Sequence, residues 1–257
     1  MRYKLEVGAR TVDDALAAER GGADRVELYA SPLEGALTPS VGLVSATAQA
    51  VSHLQLFAMI RPRAGDFLYT EHEFQTMQRD ADAVLEAGAH GIMSGVLTAD
   101  GNLDLPRMKR LVDRAKEAGA KFTLHRAFDF SRDPLRTLEE AIDLGCDYVL
   151  TLGQEKEATM SLDTVRDIVD KAQERIRVVI ALGANFDTAA ELEDVMGRIG
   201  AHEYHIVNGY RTRASEMRWT GATHTESDYL KNTMFHIEYL SEGAVREIRN
   251  VFDRHEC

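Results

Sequence analysis

The chain has 257 residues, of which 44% are hydrophobic and 28% charged, and its formal net charge is −12 at neutral pH. This composition is typical of a folded globular protein, and the acidic balance argues against nucleic acid or an anionic membrane as partner. The two cysteines, Cys146 and Cys257, form neither a disulfide framework nor a CxxC metal site. No apolar run approaches the roughly 20 residues of a membrane span. The N-terminal MRYKLEVGAR has a strand pattern rather than that of a signal peptide, so we expect a cytoplasmic protein.

A short junction motif recurs along the chain, in which a helix-like stretch ends in glycine and apolar, strand-like residues follow at once. Glycine is favoured at this position because it adopts the left-handed conformation that ends a helix. Five copies are visible: GGADRVEL (21–28), AGAHGIMSGV (87–96), AGAKFTLH (118–125), LGCDYVLTL (144–152) and IGAHEYHIV (199–207). Three more segments read as strands without the motif: YKLEV (3–7), LQLFAMI (54–60) and RIRVVIAL (175–182).

The eight predicted strands begin near residues 3, 25, 54, 91, 121, 147, 176 and 203. Their spacing of about 29 residues suits one βα unit. Between them lie helical patterns with start signals, which are a capping box of Thr70 with Glu73, Asp133 before Pro134, and candidate N-caps at Ser161 and Ser241. Eight alternating units predict an α/β fold, a (β/α)8 TIM barrel that occupies residues 1–257 as a single domain. Residues 210–240 are expected to form an excursion over the barrel mouth, between the eighth strand and the last helix.

The rival architecture is an open, doubly wound sheet. Such a sheet would be expected to carry a GxGxxG turn after its first strand, and VGART (7–11) lacks one.

Alternation along the predicted strands places a group of polar side chains in the barrel lumen, late in their strands, where barrel enzymes keep their active sites. This group comprises Glu6, Arg25, Glu27, Arg61, His125, Thr151, Glu203 and His205, and the adjoining loops add Arg63, Asp66, Arg126 and Asp129. Such a cluster suits acid–base chemistry or ion binding. The alternative is a buried salt-bridge network, for example Glu6 or Glu27 paired with Arg61.

Other candidates have simpler explanations. His90, His202 and Cys146 lie at helix-to-strand junctions, on the opposite face of a barrel, and are expected to be structural. Gly183 and Gly209 follow the last two strands and could offer backbone N–H groups to a phosphate, although tight turns explain them as well.

At these residues the sequence resembles the CutC family, named for copper homeostasis. The matching stretches run in order from residue 13 to residue 209, and weakly to MRW (217–219): DDALAAERGGADRVEL, EGALTPSVGL, MIRPRAGDFLYT, HRAFDFSRDPLRTLEEAIDLGCDYVLTLGQ and EYHIVNG. The resemblance implies a cytoplasmic TIM barrel, a homo-oligomer (dimer or tetramer) and copper binding. Carried over by position, it implies a polar mouth of Glu6, Arg25, Glu27, Arg61, Arg63, Asp66, His125, Arg126, Asp129 and His205.

Two departures from the family pattern bear on copper. Tyr29 stands where the family often has a cysteine, and the glycine-rich turn after the seventh strand reads ALGAN (181–185). Cu(I) prefers thiolate and thioether ligands. Met59 is the one soft group predicted in the lumen, so the predicted site offers Cu(I) little. Imidazole and carboxylate ligands better suit a divalent ion such as Zn²⁺ or Mn²⁺.

Three functional hypotheses follow. The first is a copper homeostasis protein that binds a copper or other divalent metal ion through Glu6, Glu27, His125 and His205. The second is a barrel enzyme that acts on a small anionic metabolite, bearing phosphate or carboxylate, by acid–base chemistry. Its catalytic residues would be Glu27, His125 and Asp129, and its ligand-binding residues Glu6, Arg25, Arg61, Arg63, Asp66, Arg126, Thr151 and Arg218. The third is a scaffold that has lost its ligand.

Overall fold

The computed structural model describes residues 2–155, 161–182, 189–207, 209–216 and 236–255. Within these ranges eight parallel strands pair in chain order, and the first pairs with the eighth to close a barrel. The strands are β1 (Lys4–Ala9), β2 (Arg25–Leu28), β3 (Gln55–Met59), β4 (Gly91–Ser94), β5 (Lys121–Leu124), β6 (Tyr148–Thr151), β7 (Arg177–Ala181) and β8 (Glu203–Ile206). The predicted TIM barrel is confirmed, and each strand begins within one residue of its expected position.

Helices follow the strands and cover the outside of the barrel. They are α1 (Val12–Gly21), α2 (Val41–Ala50), α3 (Glu71–Glu86), α4 (Leu105–Glu117), α5 (Pro134–Leu144), α6 (Leu162–Ala172), α7 (Ala189–Ile199) and α8 (Glu242–His255). All five glycines of the junction motif have positive φ, which confirms their role at helix ends: Gly22, Gly88, Gly119, Gly145 and Gly200. No helix in the described ranges is long and apolar enough to cross a bilayer.

The predicted helix starts are confirmed with one exception. Thr70 and Glu73 form the capping box of α3, Asp133 caps α5, and the Ser241 hydroxyl accepts a hydrogen bond from the Ala244 amide. Ser161 precedes α6 but makes no side-chain cap, and its hydroxyl donates to the Leu152 carbonyl, 2.7 Å away.

The buried apolar residues form two clusters, one between the strands and the helices and one inside the lumen. The lumen cluster consists of Tyr29, Phe57, Met59, Met93, Leu150, Leu152, Val179 and Ala181. Since Leu150 and Leu152 point inward, Thr151 between them points away from the lumen, and its predicted inward orientation is wrong. Alternation could not reveal this orientation because β6 is apolar on both faces, as strands of parallel sheets commonly are.

The connection between β8 and α8 contains an antiparallel ribbon of β9 (Tyr210–Ala214) and β10 (His236–Leu240). Asp14, in the first turn of α1, attaches this ribbon to the barrel. One of its carboxylate oxygens accepts a hydrogen bond from the Leu240 amide at 2.8 Å, and the other accepts one from the Tyr210 hydroxyl at 3.3 Å. The expected excursion thus begins and ends in a paired ribbon, while residues 217–235 lie outside the described ranges.

Candidate functional site

A cavity of about 1070 Å³ opens among the loops that follow the barrel strands. Its buried polar lining consists of Glu27, His125 and His205. Its apolar lining includes Leu150 and Leu152, on either side of the last residue of β6, and Ala181, the last residue of β7. The rim carries the charged or aromatic side chains of Arg10, Glu34, Arg126, Tyr210 and Glu238, and the buried ring of Tyr29 also lines the cavity.

His205 bridges the two buried carboxylates that the sequence predicted. Its Nδ1 lies 2.8 Å from Glu6 Oε1, and its Nε2 lies 3.3 Å from Glu27 Oε2. The second imidazole, His125, places Nε2 3.3 Å from the other oxygen of Glu27. Each oxygen of the Glu27 carboxylate therefore faces one imidazole nitrogen.

Arg25 forms a buried ion pair with Glu6. Its Nε donates to Glu6 in a short ion pair, and its second amino group donates to Glu203 at 3.1 Å. The guanidinium also packs against the rings of Phe57 and Tyr148, with its Cζ 4.9 and 4.4 Å from their centroids. The predicted salt-bridge partner Arg61 is wrong, since Arg25 occupies that position.

The charges of this network support one another. Burial alone would raise the pKa of Glu6, yet Arg25 and His205 lower it to about 2. Burial likewise opposes ionisation of Glu27, but His125 and His205 keep its pKa below the ordinary value. The pKa of His205 is raised despite its burial, because Glu6 and Glu27 stabilise the imidazolium. Both carboxylates are therefore ionised at neutral pH.

The two arginines of the loop after β3, Arg61 and Arg63, form hydrogen bonds and ion pairs with neighbouring loop and helix residues. Arg61 donates hydrogen bonds to the carbonyls of Gly35 and Gly65 and so ties the loop after β2 to its own loop. Arg63 pairs with Asp66 at 3.0 Å and with Glu73 at 2.6 Å. Among the described residues, these side chains do not line the cavity.

Asp129 anchors the turn after β6. Its carboxylate accepts a hydrogen bond from the Thr151 hydroxyl at 2.5 Å and others from the amides of Leu152 and Gln154. Of the other predicted residues, Arg126 lines the cavity, whereas Arg218 and Gly183 lie outside the described ranges.

Sequence reasoning missed three residues on the rim of the cavity and one thioether of the lumen. Arg10, Tyr210 and Glu238 reach the rim because Asp14 attaches the β9–β10 ribbon there, and the Arg10 guanidinium lies 3.6 Å from the centre of the Tyr210 ring. The fourth is Met93, a lumen thioether whose strand reads as apolar on both faces. The position of Arg10 just after β1 was an available signal, while Glu238 had none.

The donor chemistry of the cluster can be compared with the needs of a metal ion. Glu6, Glu27 and His205 each offer one ligand atom, and these atoms lie within 4.8 Å of one another. The soft sulfur groups are not among the groups that line the cavity: Met59 and Met93 pack in the apolar lumen cluster, and Cys146 is buried just before β6, on the opposite face of the barrel. The cluster therefore fits a divalent ion with nitrogen and oxygen ligands and does not fit Cu(I).

Comparison with known proteins identifies the family. The model of the CutC family matches residues 3–209. The chain belongs to the CutC family. The CutC protein of Parabacteroides distasonis is 40% identical over 205 residues, which cover 80% of this chain and 82% of that protein. The CutC protein of Vibrio vulnificus is 38% identical over 217 residues, 84% of this chain and 85% of its own length.

Among solved structures, a CutC protein of Streptococcus agalactiae with a provisional assignment to copper homeostasis superposes with a TM-score of 0.74 at 23% identity. The match covers 80% of this chain and 99% of that one. A 3-hexulose-6-phosphate synthase superposes with a TM-score of 0.57 at 18% identity, over 96% of this chain and 99% of that one. These two likenesses establish the shared barrel fold.

Proposed function

We propose that this CutC protein acts in copper homeostasis by binding a divalent transition-metal ion at the barrel mouth. The observation that carries the proposal is the group of Glu6, Glu27 and His205, whose potential ligand atoms lie within 4.8 Å of one another. Their burial supports a built site, because exposed acidic groups are common without any ion.

The roles within the group follow from their partners. Glu6 forms an ion pair with Arg25, and its other carboxylate oxygen lies 2.8 Å from His205 Nδ1. A carboxylate that accepts the Nδ1–H of a histidine turns the Nε2 lone pair towards a metal. Glu27 and the Nε2 atom of His205 would then contact the ion, while Glu6, the third member of the group, orients His205. His125 Nε2 lies 3.3 Å from Glu27 and adjoins the group.

A set of imidazole and carboxylate ligands favours particular ions. This set is common at Zn²⁺ sites and also suits Cu(II), because imidazole is a good ligand for both. Copper would accordingly be taken in its cupric form. Tyr29, which replaces the cysteine frequent in the family, adds no thiolate to attract Cu(I).

The test is calorimetric titration of chelator-treated, full-length protein with Cu(II), Zn²⁺ and, under anaerobic conditions, Cu(I). We expect binding of one Cu(II) or Zn²⁺ ion that is abolished by Glu27→Gln. Glu6→Gln should weaken it about 10- to 100-fold, the usual effect of removing a group that orients a ligand. Elemental analysis of the purified protein measures the ion that is carried from the cell.

Glu238→Gln is the matched control, because Glu238 lines the same cavity but is 59% exposed and pairs with Arg10. Its affinity should equal that of the wild type. Equal losses in Glu27→Gln and Glu238→Gln, or no binding of either divalent ion, would contradict the proposed site. Tighter binding of Cu(I) than of Cu(II) would contradict the proposal that copper is bound as Cu(II).

The size of the cavity favours a second candidate function, acid–base catalysis on a small anionic metabolite. The cavity volume of about 1070 Å³ is far more than an ion needs and matches pockets that hold small molecules, about 300–1000 Å³. Glu27 and His125 would act as base and acid. Thermal melting separates the two candidates, since chelation lowers the melting temperature of an ion-binding protein while anionic metabolites raise that of the enzyme.

A further inference from the structure

Three polar groups that line the mouth cavity make no hydrogen bond within the part of the chain that the structure describes. They are the Oε1 atom of Glu27, the hydroxyl of Tyr29 and the guanidinium of Arg126. Glu27 Oε1 is fully buried, and His125 Nε2 lies 3.3 Å from it. Of the three, Glu27 Oε1 is a buried atom, and because buried polar groups are normally satisfied, its lack of a hydrogen bond points to a missing partner. Arg126 is exposed and lines the same cavity.

Arg126 differs from the other arginines of the mouth. Arg10 pairs with Glu238 at 2.7 Å, and Arg61 and Arg63 donate to carbonyls and carboxylates of their own loops. Arg126 lies over the Phe130 ring, with its Cζ 5.8 Å from the centroid, and has no ion pair among the described residues. A guanidinium without an ion pair can bind a carboxylate or phosphate by donating two parallel hydrogen bonds to it.

Tyr29 supplies a fixed hydrogen-bond donor on the same wall. Its side chain is only 5% exposed and packs in the lumen cluster with Leu150 and Ala181. A phenol is protonated at neutral pH and can donate its hydrogen to an anionic oxygen. The acceptor Glu27 Oε1, by contrast, requires a donor from the ligand.

We infer that the mouth cavity binds a small organic anion, a carboxylate or phosphate ester that also carries a hydroxyl group. Its anionic group would be held by Arg126 and Tyr29, its hydroxyl would donate to Glu27, and its carbon chain would lie against Leu150 and Leu152. This inference names the ligand class of the second candidate function and rests on the cavity that suggests it. It needs no bound ion and no turnover.

The test is calorimetric titration of metal-free, full-length protein at low salt with malate and with glycerol 3-phosphate. Arg126→Gln should weaken binding of both probes about tenfold or more, because it removes charge-assisted hydrogen bonds. Arg110→Gln is the matched control: Arg110 is also exposed, lies over an aromatic ring at 5.2 Å, and has no ion pair among the described residues. Its affinities should stay within about twofold of the wild type.

Two further comparisons assign the remaining contacts. Tyr29→Phe keeps the ring but removes the hydroxyl, and it should weaken the binding of both probes. Succinate lacks the hydroxyl group of malate and should bind to the wild type more weakly than malate does. Equal losses in Arg126→Gln and Arg110→Gln, equal affinity for succinate and malate, or no saturable binding up to about 1 mM would overturn the inference. Anion binding without metal binding would refute the ion proposal alone, and binding without any turnover would refute catalysis alone.

Discussion

Protonation of Glu6 should control the acid stability of this protein. Arg25 and His205 lower the pKa of this buried carboxyl from 4.5 to about 2, against the opposing effect of burial. The difference corresponds to about 3 kcal/mol of folded-state stability. This stability is present above the unfolded pKa and is lost as the pH falls through the folded pKa. Linkage gives a loss of about 2 kcal/mol between pH 5 and pH 3 from this group alone.

The assay is urea unfolding, followed by circular dichroism at pH 7, 5 and 3. Glu6→Gln should cost about 3–5 kcal/mol at pH 7, because it leaves Arg25 buried with Glu203 as its remaining carboxylate. The free energy of unfolding of this variant should then fall about 2 kcal/mol less than that of the wild type between pH 5 and pH 3.

Glu203→Gln is the informative control, since Glu203 shares the same guanidinium. Burial raises the pKa of Glu203 although Arg25 opposes the rise, so this carboxyl contributes no comparable acid-sensitive stability. Its substitution should leave the loss between pH 5 and pH 3 intact. The same acid dependence in the wild type and in Glu6→Gln would refute the reasoning.

Three other predictions concern groups around this network, and a fourth concerns the oligomeric state. The pKa of His205 is raised by Glu6 and Glu27 despite burial, so its contribution is complete below pH 6.5 and is lost as the pH rises through the folded pKa; the wild-type melting temperature should fall above pH 6.5, and His205→Gln should remove this dependence. Asp14→Ala should cost about 1–3 kcal/mol in urea unfolding and speed hydrogen exchange at the Leu240 amide, whereas exposed Asp13→Ala should do neither. Arg61→Met should speed exchange in residues 31–36, because the guanidinium is bonded to the Gly35 carbonyl, and unchanged exchange would show that this bond does not order the loop. Light scattering on a sizing column should give the mass of a dimer or tetramer, and a monomer would contradict that expectation.

The fold was predictable because its signals are local and repeated. Each glycine junction marks the end of a helix and the start of a strand, and the five copies have positive φ as their role requires. The three strands without the motif were recoverable from their strand-like residue patterns, and Lys4, Gln55 and Arg177 begin them within one residue of the expected positions. For β3 and β7 the regular spacing of the repeat supported the assignment where the glycine signal is missing.

The candidate site was predictable only where a strand alternates in polarity. Polar residues at every second position of β1 and β2 correctly indicated that Glu6, Arg25 and Glu27 share the lumen. In β6 both faces are apolar, and the orientation of Thr151 was therefore not encoded in the alternation. Arg61 fails for another reason: it lies beyond the last residue of β3, where the backbone leaves the strand and side-chain direction no longer follows parity.

Alternation also could not separate the two inward carboxylates, although they differ in what remains available to a ligand. Both Glu6 and Glu27 are buried and ionised, and both face His205. The guanidinium of Arg25 adds a second partner to Glu6, so a ligand there would have to break a buried ion pair at considerable cost. Glu27 keeps one oxygen without a hydrogen bond and lines the cavity. An ion or a hydroxyl group can bind Glu27 without disrupting the Glu6–Arg25 pair, and that makes Glu27 the residue to which both proposals assign direct contact.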